Sequence, residues 1–205
     1  MIFNGEMVRA ILEGRKTQTR RVLATYQDAV KFCPEWDVNG KQIFIVLGEK
    51  DHTGMNPVIT AIPCPFGQPG DRVWVRETFR VHSRATDVAT LVYRVSVRNS
   101  WTEQTHRVPV AVCNKPATPE KWTPSIHMPR WASRITLEIT GVRVERLNSI
   151  TESDAEAEGV TDTGFGDLLV DGYRYLWKSI YGEESWAANP WVWVIEFKRV
   201  EGGAA

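Results

Sequence analysis

Apolar positions recur along this chain with two periods, and the switches between them lay out its elements. In "FNGEMVRAILEG", Met7, Ile11 and Leu12 fall at helical spacing between Asn4, a residue type suited to an N-cap, and Gly14, suited to the turn out of a helix. "TQTRRVL" changes to the period of two and predicts a short strand leaving that helix. From Tyr26 to Gln68 the pattern weakens to two strand-like pieces, "KQIFIVL" and "PVITAI", around a Gly/Asn turn region, a β-rich insertion. "GDRVWVRETFRV" predicts one strand, with Val73, Val75 and Glu77 on one face and Trp74, Arg76 and Thr78 on the other. "TLVYRVSV" predicts another, whereas the stretch from Asn99 to Pro129 is rich in Pro, Thr and Trp and reads as a long loop. "SRITLEITGVRVERL" is two strands or one long strand bent at Gly141. "TESDAEAEGV" has Thr151 as N-cap, Asp154 three residues on as a weaker relative of the capping box, and Gly159 at its end, which makes a short acidic helix. Tyr173, Leu176, Trp177 and Ile180 give a helix with an aromatic face, and "NPWVWVIEFKRV" a closing central strand. Six or more strands with three short helices describe an α+β fold built on a small barrel.

Composition narrows the classes. At 205 residues and 42 % hydrophobic, the chain can bury a core as one large domain with insertions. Its 25 basic and 25 acidic residues cancel, so the molecule as a whole exerts no long-range pull on a polyanion, and any nucleic-acid site must be local. Cys33, Cys64 and Cys113 form no CxxC and have no His at zinc-ligand spacing, so neither a metal site nor a disulfide framework is signalled; reduced thiols fit a cytoplasmic protein. No apolar run approaches the roughly 18 to 20 residues that span a bilayer, and "MIFNGEMVRA" lacks a signal peptide's apolar centre, which predicts a soluble protein with no membrane partner. Nine tryptophans serve either to fill a core or to line a pocket for a base.

Candidate chemistry concentrates in "GRKTQTRR". Lys16 and Thr19, three residues apart where a helix passes into a strand, can face one cleft, and a desolvated lysine beside a hydroxyl makes a poor nucleophile usable. Arg15, Arg20 and Arg21 would depress that amine's pKa or grip phosphate; the plainer reading is a solvated basic turn at a helix C-terminus. Glu77, flanked by Trp74 and Thr78, needs a cationic partner, Lys16 or an arginine, and reads either as a cross-strand ion pair or as a substrate ligand. In "PSIHMPRWASR", His127 suits proton transfer or is an ordinary loop histidine, Arg130 can meet a phosphate and Trp131 can stack on a base.

Gly14, Lys16, Thr19 and Arg21 spell GxKxxTxR, which resembles the signature of the ASCH domain family, relatives of the PUA RNA-binding barrel. "GDRVWVRE", "ITESDAEAEGV" and "VWVIEFKRV" look like that family's Gly-Asp strand, short acidic helix and closing strand, in the same order, so the likeness covers about half of the chain. The whole resembles the longer ASCH proteins of bacteriophages and prophages. It implies a single ASCH-like domain over 1–205, a small PUA-like barrel with short flanking helices and insertions at about 26–68 and 80–130. Small bacterial members are amidohydrolases that release acetate from N4-acetylcytidine. By position the resemblance implies Thr19 as the nucleophile, Lys16 as the base that takes its proton, and Glu158 as the group that orients Lys16 or handles protons at the leaving amine. Arg21 or backbone N–H groups would steady the oxyanion, and Arg20, Trp74, Glu77, His127 and Arg130 are further substrate-binding candidates. This reading needs no cofactor and no metal. The competing one is an RNA-binding module, with or without ribonuclease activity, gripping single-stranded RNA through Arg15 to Arg21 and tryptophan rings. A protein-interaction role in phage assembly has no sequence feature of its own.

Overall fold

Pairing partners, more than local period, decide where strands begin and end in the computed structural model, which describes residues 1–96, 105–161 and 168–200. In chain order these form α1 (Gly5–Leu12), β1 (Gln18–Val22), β2 (Lys31–Trp36), β3 (Gln42–Leu47), β4 (Val58–Pro63), β5 (Arg72–Trp74), β6 (Phe79–Arg84) and β7 (Val88–Tyr93). β8 (Thr105–Pro109), β9 (Thr136–Arg146), α2 (Glu152–Ala157), α3 (Leu169–Tyr181), α4 (Glu184–Ala187) and β10 (Trp191–Val200) follow. The chain divides into two compact units, one of Met1–Gly14, Arg72–Leu137 and Arg199–Ala205, the other of Arg15–Asp71 and Glu138–Lys198.

In the first unit, α1 is capped by Asn4, whose side chain accepts from the Met7 N–H, and it buries Val8, Ala10 and Ile11. Its exit turns through Gly14 at φ +77°, a left-handed conformation that costs other residues a steric clash and glycine nothing. β6, β7 and β8 form an antiparallel meander over Phe79, Val81, Ala89, Leu91, Tyr93, Val108, Met128 and Ala132. β5 edges the start of β9. The single strand expected from Val73 to Val81 is broken between Trp74 and Phe79. There the Val75 N–H donates to Ile135 O, the Arg76 N–H to Met1 O and the Glu77 N–H to Met128 Sδ, so three successive donors find three different segments. Val75 and Glu77 are both buried nevertheless. β8 lies in the stretch expected to be a loop: "THRVP" offers one buried apolar residue, Val108, and pairing with β7 makes it a strand. Residues 99–104 of that stretch fall outside the described residues.

In the second unit, β1, β10 and β9 neighbour one another in that order, β1 antiparallel to β10 with Thr19 opposite Ile195. One face carries Val192 and Val194 and packs with Leu147, Ile150, Ala155, Tyr173 and Trp177 of the segments around α2 and α3. On the other side Trp193 meets Phe44 edge-on at 5.1 Å and Trp191 meets Phe32 at 5.0 Å. Phe32 and Phe44 belong to a second antiparallel meander, β2-β3-β4, formed by the insertion at 26–68. Its β2 is a third strand where the sequence predicts two. Pro34 argues against a strand interior, but β2 is an edge strand, where a missing N–H is tolerated. "SRITLEITGVRVERL" forms the one long strand β9. Among the described residues no sheet closes into a barrel, so the α+β class holds while the expected barrel is not seen. No described helix is long and apolar enough to cross a membrane.

Candidate active site

The basic octapeptide is not a solvated turn. Lys16, Gln18, Thr19 and Arg20 are all buried, 2 to 3 % exposed, and the stretch is docked on the C-terminal end of α2. Thr151 caps α2 at the other end: its side chain accepts from the Asp154 N–H while the Asp154 carboxylate accepts from the Thr151 N–H, a full capping box. The helix therefore ends at Glu158, and its last carbonyls point at the cations. Thr17 N–H donates to Ala157 O at 2.8 Å, Arg15 Nη1 to Gly159 O at 3.2 Å and Lys16 Nζ to Glu158 O at 2.8 Å. Positive charge at a helix C-terminus is favourable, but the helix concerned is α2 and not the preceding α1.

Lys16 Nζ also sits 2.6 Å from Glu158 Oε2, the side chains 0 % and 2 % exposed. Arg20 binds the second oxygen of the same carboxylate at 3.3 Å, Glu145 Oε1 at 2.5 Å and Asp154 Oδ2 at 3.3 Å, with the Tyr173 ring 5.8 Å from its guanidinium carbon. From β9, Arg143 reaches Glu145 at 3.1 Å, Asp154 at 2.7 Å, Glu196, and the Gln18 carbonyl oxygen at 3.2 Å. Three cations thus interlock with four carboxylates. Burial pulls the Lys16 amine below the ordinary lysine value; Glu158 pulls it back up, and Arg21 and Arg20 add to the lowering.

Strand alternation sorts the motif between two faces. Arg20 pairs with Val194, whose side chain lies in the core beneath Tyr173 and Trp177, whereas Thr19 pairs with Ile195 and Arg21 with Trp193. Thr19 and Arg21 therefore take the opposite face of β1 from Gln18 and Arg20. The structure brings Lys16, Glu158 and Arg20 together and sets Thr19 on the other side of the strand. Glu77 belongs to the first unit, where Arg134 grips both its oxygens, Nε to Oε1 at 3.0 Å and Nη2 to Oε2 at 2.8 Å. Trp74 is half-buried with the Arg76 guanidinium over its ring at 4.7 Å. His127 and Arg130 are exposed in short 3-10 turns of the first unit, with Arg130 Nη2 3.4 Å from Thr136 Oγ1.

Sequence reasoning missed Arg143, Glu145 and Gln18 as members of the cluster. Arg143 and Glu145 do leave a signal, two opposite charges at strand spacing with Val144 between them, but most of their partners lie elsewhere in the chain. Gln18 is the most informative: Arg143 donates to its side-chain Oε1, and among the described residues its buried Nε2 has no partner. A buried amide donor left open beside a lysine–glutamate pair can receive an acyl or ring oxygen. Among the described residues no group of three His, Cys, Asp or Glu is placed to hold a metal ion.

Asp154 links this cluster to pH. Burial would raise its carboxyl, but the Thr151 N–H and hydroxyl, with Arg20 and Arg143, outweigh that and hold it at about 2 against an ordinary 3.8. A carboxylate depressed on folding contributes stability above the unfolded value and loses it as pH falls from 3.8 toward 2. For this partly exposed group the loss is expected to be about 1 kcal/mol. Urea melts across that range should show a shallower acid limb in Asp154→Asn than in wild type; equal limbs would remove Asp154 as the acid-sensitive group. No protein-family model, no curated protein and no solved structure matches the chain.

Proposed function

We propose that the chain is an amidohydrolase that removes an acetyl or related acyl group from the exocyclic amine of N4-acetylcytidine or a similar modified nucleoside. The observation that carries this reading is the sealed pair of Lys16 and Glu158, joined at 2.6 Å across 142 positions of sequence. Burial lowers the Lys16 amine below the ordinary lysine value, in the direction that a general base needs. The residue types at the signature positions, and the resemblance they carry to the ASCH amidohydrolases, supply the substrate class.

In this reading neutral Lys16 takes the proton of the Thr19 hydroxyl as its oxygen bonds to the acyl carbon. The C–N bond then breaks with that proton passing to the leaving amine, and water hydrolyses the acyl-threonine ester to release acetate. Glu158 holds the lysine between steps, and Arg21, on the same face of β1 as Thr19, steadies the oxyanion. Because Thr19 takes the other face of β1, this route requires Lys16 to leave Glu158 for the hydroxyl.

Incubating the protein with N4-acetylcytidine should yield cytidine and acetate in equal amounts. Thr19→Ala is expected to reduce turnover by about 10³-fold and Thr19→Ser to retain much of it. No cytidine from wild type would refute the activity. Full turnover by Thr19→Ala would instead remove the covalent route and leave water, activated by Lys16, as the attacking group.

A further inference from the structure

The zero net charge conceals two opposite charges. Counted over its bounds, the first unit has 13 Lys and Arg against 7 Asp and Glu, net +6, and the second has 12 against 18, net −6. In the second unit Arg20 and Arg143 each hold three carboxylates. In the first unit the opposite holds. Among the described residues Arg76, Arg80, Arg84, Arg107, Lys115 and Lys121 have no carboxylate partner, and Glu77 is already taken by Arg134.

Several of these uncompensated cations share one surface. In the β6-β7-β8 meander, Phe79, Val81, Ala89, Leu91, Tyr93 and Val108 point into the core. Arg80, opposite Val92, and Arg107, opposite Thr90, therefore stand on the other face of the sheet. The open edge of β6 is covered by the segment from Thr118 to Thr123: Thr118 N–H donates to Val81 O at 2.9 Å, and Phe79 and Thr123 exchange both backbone bonds at 3.1 and 2.7 Å. That register sets Trp122 beside Arg80, whose guanidinium lies 4.6 Å from the centre of the indole ring. Among the described residues the Arg80 Nε is buried without a partner, and so is Nδ1 of His82, two residues along the same strand. Arg107, and Lys121 next to Trp122 in the chain, are exposed.

From this arrangement we infer that the outer face of the β6-β7-β8 sheet, with Trp122, Arg80, Arg107 and Lys121, binds single-stranded nucleic acid. Unpaired cations on a pleated face match a phosphodiester backbone, and a guanidinium stacked on an indole is the kind of planar ledge on which bases stack without regard to sequence. An anionic lipid surface would use the charge but has no flat partner for the half-buried Trp122 ring, which already lies against the Arg80 guanidinium. The inference does not depend on the deacylation reading. It moves a candidate phosphate grip from Arg20, which three carboxylates hold in the second unit, to Arg80 and Arg107 of the first.

The test is fluorescence anisotropy with end-labelled single-stranded RNA and DNA of about 12 nucleotides, from about 50 to 200 mM salt. Three cations on phosphates give a log–log salt slope near −2, about 20-fold weaker binding across that range. Arg80→Ala with Arg107→Ala should flatten the slope by about 1.4 and weaken low-salt binding at least tenfold. Trp122→Ala should cost about tenfold and Trp122→Phe much less, since a phenyl ring still stacks. Lys41→Ala with Lys50→Ala, in the second unit, should bind as wild type, and Arg107→Ala should deacylate the free nucleoside at the wild-type rate. Binding of either polymer with this variant pattern supports the assignment. No binding at low salt, equal losses in both double variants, or binding to phosphatidylserine vesicles but to neither polymer would overturn it.

Discussion

Glu158→Gln is expected to be the most damaging conservative substitution in the chain. Its carboxylate neutralises a lysine whose side chain is fully buried and also binds Arg20, so the amide leaves a buried ammonium without its counter-charge. Breaking such a pair from one side costs about 3–5 kcal/mol, because desolvation remains while attraction is lost. Lys16→Met should cost less, since Arg20 still holds Glu158 at 3.3 Å. Lys16→Met combined with Glu158→Gln should be more stable than Glu158→Gln alone, for then no unpaired charge is buried. Turnover should behave differently. All three variants are expected to lose at least about 10²-fold in kcat, and the restored stability of the double variant should bring none of it back. Urea denaturation and nucleoside deacylation measured on the same samples separate the two effects. A double variant as unstable as Glu158→Gln would show that the cost has another origin, and one that regains activity would remove the pair from the chemistry.

The second large effect is expected in the first unit, at Arg134. Its two bonds to Glu77 are bidentate, Nη2 also reaches Ser96 Oγ at 2.7 Å, and its guanidinium carbon lies 4.0 Å from the centre of the Tyr93 ring. The Glu77 side chain is 0 % exposed and that of Arg134 13 %, so the arginine can recover some hydration and the glutamate cannot. Arg134→Ala should therefore cost about 3–5 kcal/mol and Glu77→Gln clearly less. Arg134→Lys should restore only part, since an ammonium offers neither the fork nor the flat face. The same variants decide between the two readings of Glu77. If it is a structural ion pair alone, folded Glu77→Gln keeps the wild-type kcat and KM for the nucleoside, whereas a raised KM at unchanged melting temperature makes it a substrate ligand.

Much of the local structure is legible residue by residue. Asn4 and Thr151 cap the helices where the side-chain chemistry predicts, Gly14 takes the left-handed turn, and "KQIFIVL", "PVITAI" and the closing tryptophan-rich segment are strands. These features are encoded within about ten residues, in period, cap and turn chemistry. The errors have a shared cause. The "VRET" break depends on donors finding Met1, Met128 and Ile135, β8 becomes a strand through β7, and β2 tolerates Pro34 because no described strand pairs on its other edge.

By itself the sequence determined the α+β class, most of the elements, and a signature in which Lys16 and Thr19 stand out. Only the tertiary structure decided that Lys16 meets Glu158 while Glu77 meets Arg134, that alternation along β1 parts Thr19 from Arg20, and that a neutral chain is assembled from a basic and an acidic unit. The physical reason is range. Periodicity and capping act between neighbours in the chain, whereas a charge is paired, buried or left open by whatever segment folding brings to it, here 142 residues away for Lys16 and 57 for Arg134.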